Sequence, residues 1–201
     1  MAQSIGKRAI GILVATIMAA GPVLAVEPCD PTSLELSERD VARITGLEAS
    51  RLTGLAAALT APEADWRQAL SGIFSNGLAP ALTMPEGDYS CRTIKLGGLL
   101  PLVVYGYFSC TVTADGEALQ LEKTTGSQRL SGELVSSTDG LLYRGALHYG
   151  DEGPTAYVGT SDRDQVGCLH KVSAEGESYV LELPAPAFES LHDLLVLVPE
   201  Q

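Results

Sequence analysis

The chain has 201 residues, a formal net charge of −12 at pH 7 and 45% hydrophobic residues. A chain of this length forms one domain, or one domain with a small appendage, and its apolar content supports a folded core. The acidic balance argues against binding to nucleic acid, whose phosphates require clustered Lys and Arg, and against an anionic membrane surface.

The first 25 residues have the pattern of a secretory signal peptide. Lys7 and Arg8 form a basic start, residues 9–20 are apolar, and Val23-Leu24-Ala25 provides small residues before a cleavage site. This order predicts export with cleavage after Ala25, and a Gly-Pro break in the apolar run argues against an uncleaved anchor. We therefore expect a periplasmic or secreted product with no membrane span in the mature chain.

All four cysteines, Cys29, Cys91, Cys110 and Cys168, lie beyond the predicted cleavage site. An even number of cysteines in an exported chain is typical of disulfide-bonded proteins, and three pairings are possible. Cys91 and Cys110 fall in adjacent strand-like segments, which favours Cys91–Cys110 together with Cys29–Cys168. The cysteines are too scattered for a zinc site, and we predict no metal or other cofactor.

Residues 26–80, after the signal peptide, are predicted to form a helical segment. Ser37 is a good N-cap, and Asp40 stands at the spacing of a capping box. Apolar residues then recur at helical intervals, which predicts one helix from about Glu38 to Leu59. Pro62 suits the first turn of a second helix. We interpret the pair as an αα-hairpin packed on the main body, with a partner-binding arm as the alternative.

Residues 81–201 change to a period close to two, which is typical of strands joined by Gly- and Asp-containing turns. The sequence predicts an α+β protein in which an eight-stranded antiparallel up-and-down β-barrel, lipocalin-like, follows the helices. A β-sandwich is the alternative. An eight-stranded barrel is either filled by side chains or holds one small ligand. The strand-like runs are Tyr89–Leu96, Leu102–Thr113, Glu117–Thr124, Gln128–Ser136, Leu141–Tyr149, Val166–Ser173, Ser178–Leu183 and Leu194–Val198.

Four basic residues stand out in this otherwise acidic strand region: Arg92, Lys95, Lys123 and Arg129. Of these, Arg92, Lys95 and Arg129 are selected as the candidate ligand-binding residues. Alternate residues of a barrel strand face inward, so some of these side chains could converge on an anionic ligand group. The alternative is that they pair with acidic residues on the outside.

Other candidate chemistry is weak. His148, His170 and His192 lack the spacing of metal ligands, and each is expected at a barrel rim or on the surface. The acidic loop over residues 150–165 does not match a calcium-binding loop and is expected to be solvated. Neither a nucleophile elbow nor a phosphate loop occurs, and we assign no catalytic residue.

Several segments resemble an uncharacterised family of exported proteobacterial proteins, a domain of unknown function of the DUF4893 type. The resemblance covers the chain from about Leu36 to Pro199. It implies export and fits the pairing of Cys91 with Cys110, and it implies no activity. The segments that carry it are GDYSCRTIKLG at 87–97, FSC at 108–110, EKTTGSQR at 122–129, RDQVG at 163–167 and FESLHD at 188–193.

A weaker likeness, to the calycins, depends on Gly87-Asp88-Tyr89, which stands where those barrels carry Gly-x-Trp. The calycins include small periplasmic inhibitors of secreted metalloproteases, which insert a free N-terminal segment into the protease cleft. A bridged Cys29 would leave no such free segment at that position. The likeness therefore implies a protease inhibitor only as an alternative function.

The leading hypothesis is a non-enzymatic binding protein for a small ligand or an envelope partner. Its small-ligand version predicts a cavity of at least about 300 Å³. The alternatives are a periplasmic protease inhibitor of calycin type and a hydrolase with carboxylate and His side chains gathered at one rim. The hydrolase requires at least two titratable groups within hydrogen-bond distance in a cleft.

Overall fold

The computed structural model describes residues 1, 29–75, 77–172 and 177–200. The predicted signal peptide, apart from Met1, lies outside these residues. The described helices all fall short of the length and hydropathy that a membrane span requires. The helices are α1 Glu38–Thr45, α2 Leu47–Ala58 and α3 Ala64–Phe74, and the strands are β1 Leu78–Pro80, β2 Gly87–Leu96, β3 Leu102–Val104, β4 Phe108–Asp115, β5 Ala118–Lys123, β6 Gln128–Ser137, β7 Gly140–Tyr149, β8 Asp164–Val172, β9 Ser178–Pro184 and β10 His192–Pro199.

The predicted first helix occupies the expected residues but is divided at Gly46. The Ser37 side chain caps α1 by accepting from the Asp40 N–H, as the capping-box spacing predicts. The Gly46 N–H still bonds to the Ala42 carbonyl at 2.9 Å, and its own backbone then leaves the helical region with φ −86° and ψ 7°. The prediction of one continuous helix is therefore wrong at this residue, where glycine lowers the cost of a break.

Eight of the described strands, β2 and β4 to β10, close into a ring in which every pair is antiparallel. Each strand of the ring pairs with its neighbour in that order, and β10 pairs with β2 from His192↔Leu96 to Pro199↔Tyr89. This closure confirms the up-and-down barrel and excludes the sandwich. The predicted run Leu102–Thr113 is split, so that β3 pairs only with β2 at its end and β4 belongs to the ring.

Apolar side chains fill most of the barrel interior. Tyr89, Tyr143 and Leu121 belong to one cluster of buried residues. The Cys91–Cys110 disulfide lies in the same cluster. At the end of the barrel where the chain enters β2, Ala81 and Met84 join this cluster.

The helices cover the outer surface of one side of the barrel. Helix α1 contacts β8, and α2 contacts β9, β10 and β2. For this reason Leu194, Leu195, Val196 and Leu197 of β10 are buried on both faces of the strand. The second disulfide, Cys29–Cys168, ties the chain to the outer face of β8 beside α1. The structure therefore confirms both predicted disulfide pairings and the packing of the helices on the main body.

Candidate functional site

The two ends of the barrel interior differ in polarity. We use the term barrel mouth for the end at which residues 97–101, 105–107, 124–127, 150–163 and 185–191 connect the strands. Apolar residues fill the inward positions at the centre of the barrel. Near the mouth, the inward-facing residues of the strands are polar. They are Lys95 on β2, Lys123 on β5, Gln165 on β8 and Asp193 on β10.

Two small adjoining cavities lie in the barrel mouth. The outer cavity, of about 80 Å³, is bounded by Tyr105 and Phe108 near the rim. The inner cavity, of about 30 Å³, reaches Gln165 and Asp193. Both are far below the predicted cavity of at least about 300 Å³, so that prediction is wrong for the barrel interior, which side chains fill below the mouth. Their shared lining residues are Thr93, Lys95, Lys123 and Gln128.

Lys123 is one of two buried lysines among the described residues of this mouth. Its Nζ donates to the carbonyl oxygens of Thr125 at 2.8 Å and Gln128 at 2.7 Å. It also lies 4.0 Å from the centroid of the Phe108 ring, whose face attracts a cation. Burial, with a smaller effect of the Arg129 charge, lowers the pKa of Lys123 to about 8. Within the described part of the chain, no carboxylate pairs with this ammonium.

Lys95, by contrast, is neutralised by two carboxylates. Its Nζ lies 3.1 Å from Glu189 Oε2 and 3.5 Å from Asp193 Oδ2. Burial alone would lower the pKa of Lys95, but the charges of Asp193 and Glu189 outweigh it and raise that pKa. Asp193 is itself buried, which raises the pKa of its carboxyl, and it accepts a 2.5 Å hydrogen bond from the Ser190 hydroxyl.

Glu189 extends across the mouth from the loop over residues 185–191. Its Oε1 accepts a 3.3 Å hydrogen bond from Gln128 Nε2 on β6. Its backbone φ is +67°, a conformation that costs a non-glycine residue energy and is found mainly where the surrounding structure imposes it. The neighbouring loop lies so close that a Cβ on Gly98 would be 2.1 Å from the Glu189 carbonyl oxygen. The two loops are therefore packed together as one side of the mouth.

The structure brings together some of the residues predicted from the sequence. Lys95 points inward and lines the inner cavity, whereas Arg129 borders that cavity from an outward position of β6, beside the inward-facing Leu130. Arg129 Nε also donates to the Gly126 carbonyl at 3.0 Å. Arg92 faces outward, where its guanidinium carbon lies 4.8 Å from the centroid of the Tyr107 ring. The separation follows from strand alternation, since Arg92 and Lys95 are three residues apart and so point to opposite faces.

Two lining residues were not selected as candidates: Lys123, although it was one of the four basic residues noted in the strand region, and Gln165. The sequence signal for Lys123 was available, because Leu119, Leu121 and Lys123 form one alternating series on β5. For Gln165 no such signal exists, because most residues of β8 are buried on both faces.

A second polar cluster lies on the outer face of the barrel beneath α2. The carboxylate of Glu182 is fully buried and receives Arg51 through Nε at 2.7 Å and Nη2 at 2.5 Å. His192 Nε2 lies 3.1 Å from Glu182 Oε1, and His170 Nε2 lies 2.8 Å from Oε2. Burial opposes the charge of Glu182, but these three partners outweigh it and hold the pKa well below its usual range.

The histidines therefore correct the sequence interpretation. His148, His170 and His192 were expected at a rim or on the surface, and all are buried. Helix α2 covers His192, because β9 and β10 carry the helical layer on their outer face. A second disagreement concerns the acidic loop, where Asp164 is buried and accepts from the backbone N–H of Val158 at 3.1 Å and Ser161 at 2.9 Å.

Ser50, His192 and Glu182 form a line that resembles a nucleophile, base and acid. Ser50 Oγ lies 3.0 Å from His192 Nδ1. The same oxygen donates to the Leu191 carbonyl at 2.8 Å and accepts from the Ala185 N–H at 3.1 Å. Because these bonds fix the hydroxyl between α2 and the loop over residues 185–191, we interpret the cluster as a connection that fastens the helix to the barrel. Within the described residues, no group of three or more His, Cys, Asp or Glu is placed to hold a metal.

The chain belongs to the family described as "Domain of unknown function (DUF4893)", whose model matches residues 34–197. The match runs from before α1 into β10 and so includes the helices and the whole mouth. Searches of curated proteins and of solved structures gave no match. The resemblance to this family that the sequence motifs indicated is confirmed, and the likeness to the calycins stays a prediction.

Proposed function

We propose that this protein is a non-enzymatic, periplasmic or secreted binding protein whose barrel mouth binds the anionic group of a small ligand. One observation carries the proposal. The ammonium of Lys123 faces the mouth cavity without a carboxylate partner among the described residues, and Lys95 lines the same cavity. A cation with no ionic partner in a cavity is a site where an anion gains charge-assisted hydrogen bonds.

The cavity volume limits the size of the bound group. The outer cavity of about 80 Å³ is equivalent to the liquid volume of about three water molecules. This space suits a carboxylate-sized group and excludes a large buried ligand. The remainder of any larger ligand would lie against the rim, where Tyr105 and Phe108 border the opening.

Extracytoplasmic location is part of the proposal. The two disulfides support it, because such bonds persist in oxidising compartments, and the predicted signal peptide agrees with it. In the periplasm or medium, we expect a small site of this kind to capture a ligand.

The alternatives have less support. Cys29 is bonded to Cys168, so the chain at Cys29 is not free to enter a protease cleft. The hydrolase alternative has titratable groups within hydrogen-bond distance, but the Glu182 cluster is buried under α2 rather than exposed in a cleft. For the alternative of an envelope protein as the partner, no contact among the described residues gives particular support.

The proposal is tested by titrating the protein with sodium acetate and following amide chemical shifts around the mouth. We expect saturable shifts with acetate and none with neutral acetamide. Lys123→Met should weaken acetate binding at least tenfold, since it removes a charge-assisted bond. Lys171→Met is the matched control, because Lys171 is half-exposed on β8 and pairs with Glu177 at 3.3 Å.

Three outcomes would contradict the proposal: no saturable acetate binding to the wild-type chain, equal binding of acetate and acetamide, or unchanged affinity in folded Lys123→Met. The acetate and acetamide comparison uses only the wild-type protein and so does not depend on how the variant folds.

A further inference from the structure

A larger cavity lies on the outside of the barrel, between the outer face of β5, β6 and β7 and the loop over residues 150–163. We call it the side cleft. Its volume is about 480 Å³, within the range of about 300–1,000 Å³ that small-molecule sites occupy. It is open to solvent and shares no described lining residue with the two mouth cavities, so it is a separate space.

The loop that roofs the side cleft is fixed in position by buried contacts. The Tyr157 hydroxyl donates to Asp40 Oδ2 at 2.8 Å and accepts from the Ser37 N–H at 3.0 Å. Asp40 is itself buried near the start of α1. One residue beyond Tyr157, the Val158 N–H donates to Asp164 at 3.1 Å. The cleft is therefore formed without a ligand, and a ligand would not have to order the loop on binding.

The floor of the side cleft offers free hydrogen-bonding groups that solvent reaches. Arg144 donates to Oε1 of Glu133 through Nε at 2.9 Å and through Nη2, so Oε2 of Glu133 has no partner among the described residues. These two side chains are 24% and 31% exposed. Gln120 donates through Nε2 to Ser131 at 3.0 Å, and its Oε1 stays free to accept. The cleft thus presents unused acceptors.

Donors lie beside these acceptors. Arg144 Nη1 donates to the Glu35 carbonyl at 2.7 Å, and a guanidinium has more N–H groups than its three contacts here use. Thr155, on the roof, adds a hydroxyl. The Arg144 guanidinium carbon lies 5.5 Å from the centroid of the Tyr157 ring, so the floor donors and the aromatic wall are close enough to contact one small ring.

The charges of the lining favour a neutral ligand. The charged residues that line the side cleft are Asp115, Glu133 and Arg144. Arg144 neutralises Glu133, and Asp115 is exposed at the end of β4, where water and salt screen its charge. A hydroxyl both donates and accepts, and so it matches this mixed lining better than a permanent charge does.

We propose that the side cleft binds a neutral saccharide of one or two rings. Its hydroxyls contact Gln120, Glu133 and Arg144, and the C–H face of one ring packs against Tyr157 and Pro154, which give the cleft an apolar wall. This inference goes beyond the proposed function, because it concerns a different site and a different class of ligand.

The test titrates the wild-type chain with glucose, galactose, maltose and N,N′-diacetylchitobiose and follows amide chemical shifts. Putrescine and sodium acetate are the charged comparisons. We expect saturable shifts with at least one of the four sugars, centred on Gly132, Gly145 and Ala156, which line the side cleft. The amides of the barrel mouth should not respond to the sugars.

Two variants locate the binding. Ala156→Trp places a large ring at an exposed position of the roof and should abolish the shifts. Ala49→Trp is the matched control, because Ala49 is exposed on α2 and does not line the side cleft. Gln120→Leu should weaken sugar binding about three- to tenfold, the loss of one hydrogen bond.

Each outcome decides the inference. Shifts that stay linear for all four sugars, sugar shifts centred on the mouth, or unchanged affinity in folded Ala156→Trp would overturn it. Putrescine or acetate binding at these amides more tightly than every sugar would overturn the choice of a neutral ligand. Failure of acetate to bind at the mouth would remove the proposed function and leave this inference in place. The wild-type titrations hold even where Gln120→Leu does not fold.

Discussion

The two disulfides should contribute unequally to stability. Cys91 and Cys110 are 19 residues apart, whereas Cys29 and Cys168 are 139 residues apart. Crosslinking removes loop-closure entropy from the unfolded chain, and the loss grows with the logarithm of the loop length. The comparison is made between two double variants, Cys91→Ala/Cys110→Ala and Cys29→Ala/Cys168→Ala.

The loop lengths give the magnitudes. The loop-entropy relation assigns about 3 kcal/mol to the short loop and about 5 kcal/mol to the long one. The difference, about 1.8 kcal/mol, is the more reliable figure because the constant part of the relation cancels. Packing losses should also cancel closely, since all four cysteines are at most 1% exposed and each double variant removes two buried sulfurs.

The assay is urea-induced unfolding of the oxidised wild-type protein and of both double variants, followed by circular dichroism. We expect the variant without Cys29–Cys168 to lose more free energy of unfolding, with similar dependence on urea in both. A larger loss in the variant without Cys91–Cys110 would refute the reasoning and would show that packing of that bridge in the barrel core outweighs chain entropy.

Three further predictions concern the helical layer and the mouth. Arg51→Met should lower the free energy of unfolding by about 3 kcal/mol, because it leaves the buried carboxylate of Glu182 without its cation, and thermal or urea unfolding measures this. The pKa of Lys123 is lowered from 10.5 to about 8, so between these pH values the unfolded chain binds more protons than the folded one. The free energy of unfolding of the wild-type protein should therefore rise with pH across that window, compared with Lys123→Met. An equal dependence on pH in both proteins would contradict the lowered pKa of Lys123. Gly54→Ala should destabilise the protein by about 1–3 kcal/mol, because the new Cβ would lie 2.9 Å from the Cβ of Leu96. Gly72→Ala, whose Cβ would have no atom within 4 Å, should stabilise α3 by about 0.5–1 kcal/mol. Stabilisation by both substitutions would disprove the close contact under α2.

Local patterns in the sequence were enough for the main elements of the fold. The Ser37 cap and the helical period that follows predicted one helix from about Glu38 to Leu59, which the structure divides at Gly46, and strand alternation with hairpin turns predicted most of the barrel strands. The even number of cysteines predicted disulfides, and strand adjacency favoured the pairing that the structure shows among the three that were possible. These features depend on residues close together in the chain or, for the disulfides, on the small number of ways in which four cysteines can pair. The division of the chain at residue 80 stays a prediction.

The candidate site was only partly accessible from the sequence. Lys95, Arg129 and Arg92 were selected as basic residues, but only Lys95 points into the barrel, because Arg129 and Arg92 occupy outward positions of their strands. Strand alternation shows which residues share a face, and it does not show which face is inside when apolar residues occupy both. On β8, β9 and β10 this ambiguity is complete, because the barrel core covers one face and the helices cover much of the other.

The sequence by itself determined the period of each element, the even set of cysteines and the acidic character of the chain. Only the tertiary structure decided that the barrel is filled below its mouth, that Glu182 and His192 are buried under a helix, and that Lys123 and Gln165 face one small space. These facts depend on contacts between residues far apart in the chain, such as the pairing of β2 with β10 about a hundred positions later and the packing of α2 on β9 and β10. A local pattern carries no information about such a contact, since it arises from how the whole chain packs.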